Sequence, residues 1–356
     1  MGGLLVNTNN SSDQAPSYLE QLSLSVQHDT LLVAPLTAGL DTNNWCNSKC
    51  EYCRMWKNPA VNTPLQDLKL AVDELCELGV YAISLTGGEP FLHDELPQLI
   101  GHMRTRGVIS STMTNGMLLK PAHLLPILEA GLNSLYVSLD TINPDTYRKI
   151  RGVPLPPVLK GLEYLSQRRQ DFPGLKSLSV NCVVSRANIE EIDTLVKYCS
   201  DLNIWVGFQP LHATFGSGHE SEKLAFSEGE RPRIHILIER LIQMKQDGHL
   251  IDNDVTYLEG FPDFLSYRQL PDGFECTAGF TTVAIDYQLN VRSCWPMKPI
   301  GNLHTDKLTE LWYSEVYNQR RAAMLKLQCP KCWLRCHTEH RSEQWLKRFL
   351  PRVSTE

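Results

Sequence analysis

Three cysteines within eight residues, Cys46, Cys50 and Cys53 in the order C-x3-C-x2-C, restrict this chain more than any other stretch. A four-iron cubane presents four corners to thiolates, so a loop carrying only three leaves one iron without a protein ligand. The same loop taken alone also fits a three-cysteine zinc site or part of a simple ferredoxin. The chain holds eleven cysteines, and eight of them fall into two spaced groups, which reads as metal ligation in a reducing, cytoplasmic setting rather than as disulfides. The other three, Cys76, Cys182 and Cys199, lie within helix-like or strand-like patterns and read as core packing.

Around the loop the apolar pattern alternates. Leu31 to Pro35 reads as a first strand. Helices are expected over Leu65 to Leu78, from Glu95, from Pro121, up to about Arg168, and from Ile189. Strands are expected at Tyr81 to Leu85, Val108 to Met113, Ser134 to Leu139, Leu178 to Val184, and Ile204 to Phe208. Six βα units imply parallel strands joined by right-handed crossovers, with both faces of the sheet covered by helices. Eight units would close a TIM barrel, so six predict an α/β fold of partial (β/α)6 type. Residues 1–29 are polar and read as a loose arm, 30–215 as the barrel, 216–270 as a connector with a helix over Arg231 to Gln246, 271–340 as a small cysteine-rich module, and 341–356 as a tail. A net charge of -6 without a basic stripe argues against nucleic acid, and no run of about 18 apolar residues supports a membrane span.

In such a barrel the C-terminal ends of the strands build the site. Gly87-Gly88-Glu89-Pro90 follows the second strand, where two glycines permit close approach and a carboxylate can accept from an ammonium group. Read alone it is also an ordinary turn. Thr114-Asn115-Gly116 ends the third strand as a turn signal. Ser138 and Asp140, two residues apart at the end of the fourth, point to one side, with capping of the next helix as the alternative for Asp140. Asn181 lies on the fifth strand, Asn188 is the expected N-cap of the helix after it, and His212 follows the sixth as a substrate-site candidate.

The cysteine spacing with Tyr52 before the last cysteine, the GGEP turn, the T-N-G turn and Ser138-Leu139-Asp140 occur in an order that resembles the radical S-adenosylmethionine (radical SAM) family. The resemblance covers roughly residues 30 to 215 and implies a [4Fe-4S] cluster on Cys46, Cys50 and Cys53 whose open iron is chelated by S-adenosylmethionine. It further implies that Gly88 and Glu89 hold the methionyl amino group, that Tyr52, Thr114, Asn115 and Asn181 line the cofactor, and that Ser138 and Asp140 meet the ribose. The reaction implied is one-electron cleavage to a 5′-deoxyadenosyl radical that takes a hydrogen atom from a small-molecule or peptide substrate, with an electron donor such as flavodoxin or ferredoxin. The barrel motifs also resemble the molybdenum-cofactor cyclases, whose C-terminal cysteine spacing and double-glycine tail are not found here.

The second cysteine group is Cys276, Cys294, Cys329, Cys332 and Cys336. With Gly279, Asn290-Val291, Gly301-Asn302 and Leu311-Trp312 it resembles the SPASM or twitch extension of radical SAM enzymes, which houses auxiliary iron–sulfur clusters. Five cysteines suffice for one fully ligated [4Fe-4S] cluster and one spare thiol; a structural zinc site also suits C-x2-C with two distant cysteines. If the spare is Cys336, it becomes a catalytic candidate as a hydrogen-atom donor of epimerase type, alongside dehydrogenase chemistry. A non-catalytic or sensory iron–sulfur or zinc protein on the same fold is the alternative reading.

Overall fold

The computed structural model describes residues 18–27, 33–212 and 223–335. Helix α1 (Tyr18–Gln27) precedes β1 (Thr37–Asp41), α2 (Leu65–Leu78), β2 (Ala82–Thr86), α3 (Leu96–Thr105), β3 (Ile109–Thr114), α4 (Pro121–Glu129) and β4 (Ser134–Ser138). Two helices, α5 (Pro144–Arg151) and α6 (Pro156–Arg168), lead to β5 (Ser177–Val184), α7 (Ile192–Asp201) and β6 (Trp205–Pro210). All six strands pair in parallel in sequence order. Right-handed crossovers with no reversal of strand order put every helix on the same side of the sheet, which curls into an open, partial barrel. The expectation of helices on both faces is corrected by that order. The alternation on β1 records the two sides: Ala38 and Leu40 are buried under the helices, while Thr37, Gly39 and Asp41 are half-buried toward the concave face.

Two further expectations change. The first strand lies at Thr37–Asp41 rather than Leu31 to Pro35, because its concave-facing positions are glycine and aspartate and dilute the apolar signal. The expected loose arm contains α1, whose Leu22 is buried with Val33 and Phe280. A single buried leucine in a polar stretch gives no period to read.

The chain then adds α8 (Arg231–Gln246), α9 (Val255–Glu259), α10 (Phe261–Tyr267) and α11 (Ala278–Thr281). Just after α8, Val206 N–H donates to Leu250 O at 2.8 Å and Asp252 N–H to Val206 O at 2.9 Å, so this segment covers the outer edge of β6. From the C-terminal module, β7 (Thr282–Ile285) pairs in parallel with β1, and β8 (Asn290–Arg292) and β9 (Gly301–Asn302) continue antiparallel from it. The module is thus a continuation of the barrel sheet. Helices α12 (Leu308–Trp312) and α13 (Glu315–Leu325) pack beside it. Among the described residues no helix is long and apolar enough to cross a membrane.

Candidate functional site

The cysteine loop leaves β1 and is held from three directions. From β2, Gly88 N–H donates to Asn43 O at 3.2 Å and to Asn43 Oδ1 at 3.0 Å, and Glu89 N–H donates to Trp45 O at 2.9 Å. Asn43 Nδ2 returns a bond to Glu89 O at 2.8 Å. A Cβ on Gly88 would stand 1.7 Å from Trp45 O, so only glycine admits this contact. From α5, Arg151 O accepts from Lys49 N–H at 3.1 Å and Ile150 O from Glu51 N–H at 2.9 Å. From β3, Asn115 Nδ2 donates to Asn47 Oδ1 at 2.7 Å and approaches Cys46 Sγ at 3.5 Å.

Two buried carboxylates lock these contacts. Glu89 accepts from Thr114 Oγ1 and Asn115 N–H, both at 2.7 Å, and from Phe91 N–H at 3.1 Å. Burial raises its carboxyl to about 7 against those donors. Asp140 receives Arg151 Nε at 2.6 Å, the second Arg151 nitrogen at 2.9 Å, Tyr52 OH at 3.2 Å and Val183 N–H at 2.9 Å. Four donors on two oxygens fill the carboxylate. Asp140 is therefore corrected from a ribose contact to the anchor of a buried ion pair, and Asn143 caps the following helix. Tyr52 also has its hydroxyl committed there, with the Arg151 guanidinium 5.3 Å from its ring centre.

Cys50 is buried and Cys46 and Cys53 are half-buried. Burial, chiefly, pushes the Cys46 thiol to about 11 and Cys50 to about 12, so these sulfurs become thiolates by exchanging protons for a cation or cluster. Ser48 N–H, 3.4 Å from Cys46 Sγ, adds a donor of the kind that supports cluster thiolates. This all-sulfur set fits the group implied by its spacing. Cys182 and Cys199 are in the core as expected, and Cys76 lies on α2 partly packed against it.

The concave face is lined by alternate strand residues. Ser138 is in register with Asn181, and Asn181 with Gly207. The Ser138 hydroxyl makes no hydrogen bond among the described residues. Asn181 has one weak contact, Nδ2 to Met113 Sδ at 4.0 Å. A Cβ on Gly207 would stand 2.8 Å from an Arg335 nitrogen, and Arg335 pairs with Asp252 at 2.5 Å, so the C-terminal module reaches over this wall. His212 and Asn188 are corrected. His212 bonds Trp333 O at 3.2 Å and its ring lies 4.8 Å from that of Phe264, a fastening to the module. Asn188 is fully buried, donating to Asp140 O and Val183 O and accepting from Ser185.

Sequence reasoning missed Asp41 and Trp295. Asp41 Oδ1 accepts from Thr86 Oγ1 at 3.0 Å, and its other oxygen has no partner among the described residues. Burial first, then the charge of Asp286, raise its carboxyl to about 7, against the Thr86 bond and Arg292. The Trp295 ring packs against β1 at Gly39, where a Cβ would meet it at 2.6 Å. The signals were an acidic residue at a strand end and a glycine in mid-strand.

In the C-terminal module Cys276, Cys294, Cys329 and Cys332 line one pocket with Met297 and Met324. Burial and then the neighbouring Cys276 and Cys329 push the Cys294 thiol to about 12. Four cysteine thiols around one apolar pocket supply the four sulfur ligands that a cubane takes. Cys336 lies outside the described residues.

A family model described as Radical SAM superfamily matches residues 40–199, and one described as an iron-sulfur cluster-binding domain, SPASM, matches 276–337. A 210-residue region is 30% identical to an AdoMet-dependent heme synthase of Methanosarcina barkeri, 56% of each chain. A 159-residue region is 33% identical to a probable GTP 3′,8-cyclase of Methanococcus vannielii, covering 43% of this chain and 51% of the relative. The chain spans about half the length of the curated relatives it matches. Among solved structures it is similar to SuiB of Streptococcus suis bound to S-adenosylmethionine, with TM-score 0.67 at 17% identity, over 84% of this chain and 70% of that one. It is also similar to anSMEcpe with bound AdoMet and Cp18Cys peptide, with TM-score 0.63 at 16% identity, over 88% and 87%.

Proposed function

We propose that this chain, a member of the radical SAM superfamily carrying a C-terminal SPASM domain, removes a hydrogen atom from a small-molecule or peptide substrate held on the concave face of its barrel. The observation that carries the reading is the three-cysteine loop held between the GGEP turn, the T-N-G turn and α5 at the strand ends. Bound there, the [4Fe-4S] cluster and S-adenosylmethionine supply a 5′-deoxyadenosyl radical from one delivered electron. Cys46, Cys50 and Cys53 hold the cluster. The clamp fixes them, because Gly88 and Glu89 spend their backbone N–H groups on the loop and the Glu89 carboxylate ties β2 to β3. Ser138 and Asn181 offer polar groups to a ribose or substrate, and Asp41 offers an oxygen that can hold a substrate proton or ammonium group. The heme synthase, the cyclase and the peptide-bound neighbour differ in substrate, and this reading keeps both substrate classes. Four cysteines around the C-terminal pocket match the four corners of a cubane, which suits electron exchange and favours net oxidation over epimerisation.

Anaerobic reconstitution with iron and sulfide, followed by an assay for 5′-deoxyadenosine under strong reductant, tests this. We expect about eight irons per chain and cleavage of S-adenosylmethionine. Iron bound at the first loop without cleavage would return the chain to a non-catalytic role.

A further inference from the structure

The loop that carries the first three cysteines also carries a cluster of cations. Within residues 46–57, Lys49 and Lys57 are exposed and Arg54 is half-buried, and α5 presents Arg148 and Lys149, both exposed. The two segments touch: the backbone N–H groups of Lys49 and Glu51 reach the end of α5, and a Cβ on Gly152 would stand 2.8 Å from Lys49 Cβ. Among the described residues none of these five cations has a carboxylate partner. The acidic side chains of the two segments are Glu51 and Asp145. On a chain of net charge -6 this surface is a local reversal of sign. Trp56 stands within it, half-buried, with Lys57 Nζ 5.1 Å and Lys49 Nζ 6.0 Å from its ring centre. Its indole N–H donates to Cys53 O at 2.9 Å, so the ring is one hydrogen bond from a cysteine of the loop. Like charges gathered at a surface repel one another, and the fold gains nothing from them.

We propose that this patch is the docking surface of an acidic one-electron donor protein, which delivers the electron that cleavage of S-adenosylmethionine requires. The proposal rests on the reading of the loop as an iron–sulfur site. Lys49 lies between Cys46 and Cys50, and Arg54 follows Cys53 directly, so a protein seated on these side chains stands beside the residues that receive the electron. Exposed charges speed encounter and fix orientation without a large buried area, which is what a transient electron donor needs. The cations gather about one ring and form no stripe that would track a phosphate backbone. The step moves one electron and no atom: in a flavin donor the anionic hydroquinone becomes the neutral semiquinone.

The test uses the reconstituted full chain, with a bacterial flavodoxin as the acidic donor and dithionite as a reductant that needs no docking surface. Binding of oxidised flavodoxin is measured by thermophoresis at about 50 and about 300 mM salt, and 5′-deoxyadenosine formation is followed with either reductant. The parent is expected to bind flavodoxin about tenfold more weakly at the higher salt. Lys57→Glu with Lys149→Glu is expected to keep the parent's iron, to weaken binding at low salt at least about tenfold, and to slow flavodoxin-driven cleavage in step. Its dithionite-driven rate should stay within about twofold of the parent, and the milder pair Lys57→Gln with Lys149→Gln should fall between. Lys160→Glu with Lys197→Glu, exposed on α6 and α7, changes the net charge equally and should leave binding within about twofold. Equal weakening by the two reversed pairs would assign the attraction to net charge and overturn the docking surface. Tighter retention of an RNA duplex than of flavodoxin would also overturn it. Cleavage with dithionite alongside flavodoxin binding that neither salt nor Lys57→Glu with Lys149→Glu alters overturns the docking alone. A parent that forms no 5′-deoxyadenosine with dithionite overturns the radical reading and the docking together.

Discussion

The two cysteine sites are built by opposite means. The first, Cys46 to Cys53, is contiguous in sequence but is held by polar contacts from distant places: the turn after β2, the end of β3 and the end of α5. The second draws its cysteines from residues as far apart as Cys276 and Cys332, and closes them round an apolar wall of Met297 and Met324. Directional contacts fix the first loop before any cofactor arrives, whereas the second depends on packing and on its ligands. The two sites should therefore fail differently.

The largest effect is expected at Arg151, the centre of the first site's support. Replacing it with leucine leaves Asp140 buried without its cation, and breaking such a pair costs about 3–5 kcal/mol. Denaturant unfolding of the reconstituted chain should show that loss together with about four fewer irons, the auxiliary cluster remaining. A variant of parental stability with both clusters would mean that the polar clamp is not what holds the loop.

Gly88→Ala is next, and more local. Its methyl would stand 1.7 Å from the Trp45 carbonyl oxygen, so the backbone of one partner has to move. We expect a fold that survives, cleavage of S-adenosylmethionine reduced at least about 100-fold, and weakened iron binding at the first loop. Near-normal turnover would show that the GGEP turn need not touch the loop during catalysis.

The second site gives a smaller, separable effect. Cys332→Ala should remove about four irons while leaving 5′-deoxyadenosine formation within about threefold of the parent, and Cys336→Ala should leave all the iron in place. Loss of iron on replacing Cys336 but not Cys332 would exchange their roles.

What could be read from sequence follows the same division. The order of strands and helices, the three-cysteine loop and the two turns were legible because each is local in sequence, with helix bounds at Leu65–Leu78, Pro121 and Arg231–Gln246 recovered as they stand. The saturation of Asp140 was not legible, since Arg151, Tyr52 and Val183 meet it from separate elements. Nor was the pairing of β7 with β1, which joins strands more than two hundred residues apart and makes the module part of the barrel. Spacing identified ligands; it could not say which polar groups were already in use.

Asp41 sits at the seam of the two regions, on β1 but under the influence of Asp286 and Arg292 from the module, and it gives the smallest and most specific prediction. Its carboxyl titrates near 7 when folded and near 3.8 when free, so the folded state prefers the proton. Stability from this group is present in full below about pH 4 and is lost as pH rises through about 7, above which the loss is constant. Asp41 is only half-buried, so solvent screens the effect, leaving about 1–2 kcal/mol. Asp41→Asn cannot lose a proton, so relative to the parent it should gain that amount at pH 8 and nothing at pH 4. Glu89, with its own carboxyl near 7, contributes the same slope to both proteins and cancels in the difference. Parallel stability curves for the two proteins would place Asp41 in ordinary solvent contact. Diverging curves, together with a loss of turnover in Asp41→Asn that leaves S-adenosylmethionine cleavage intact, would make this residue the point where the module's charges reach the substrate.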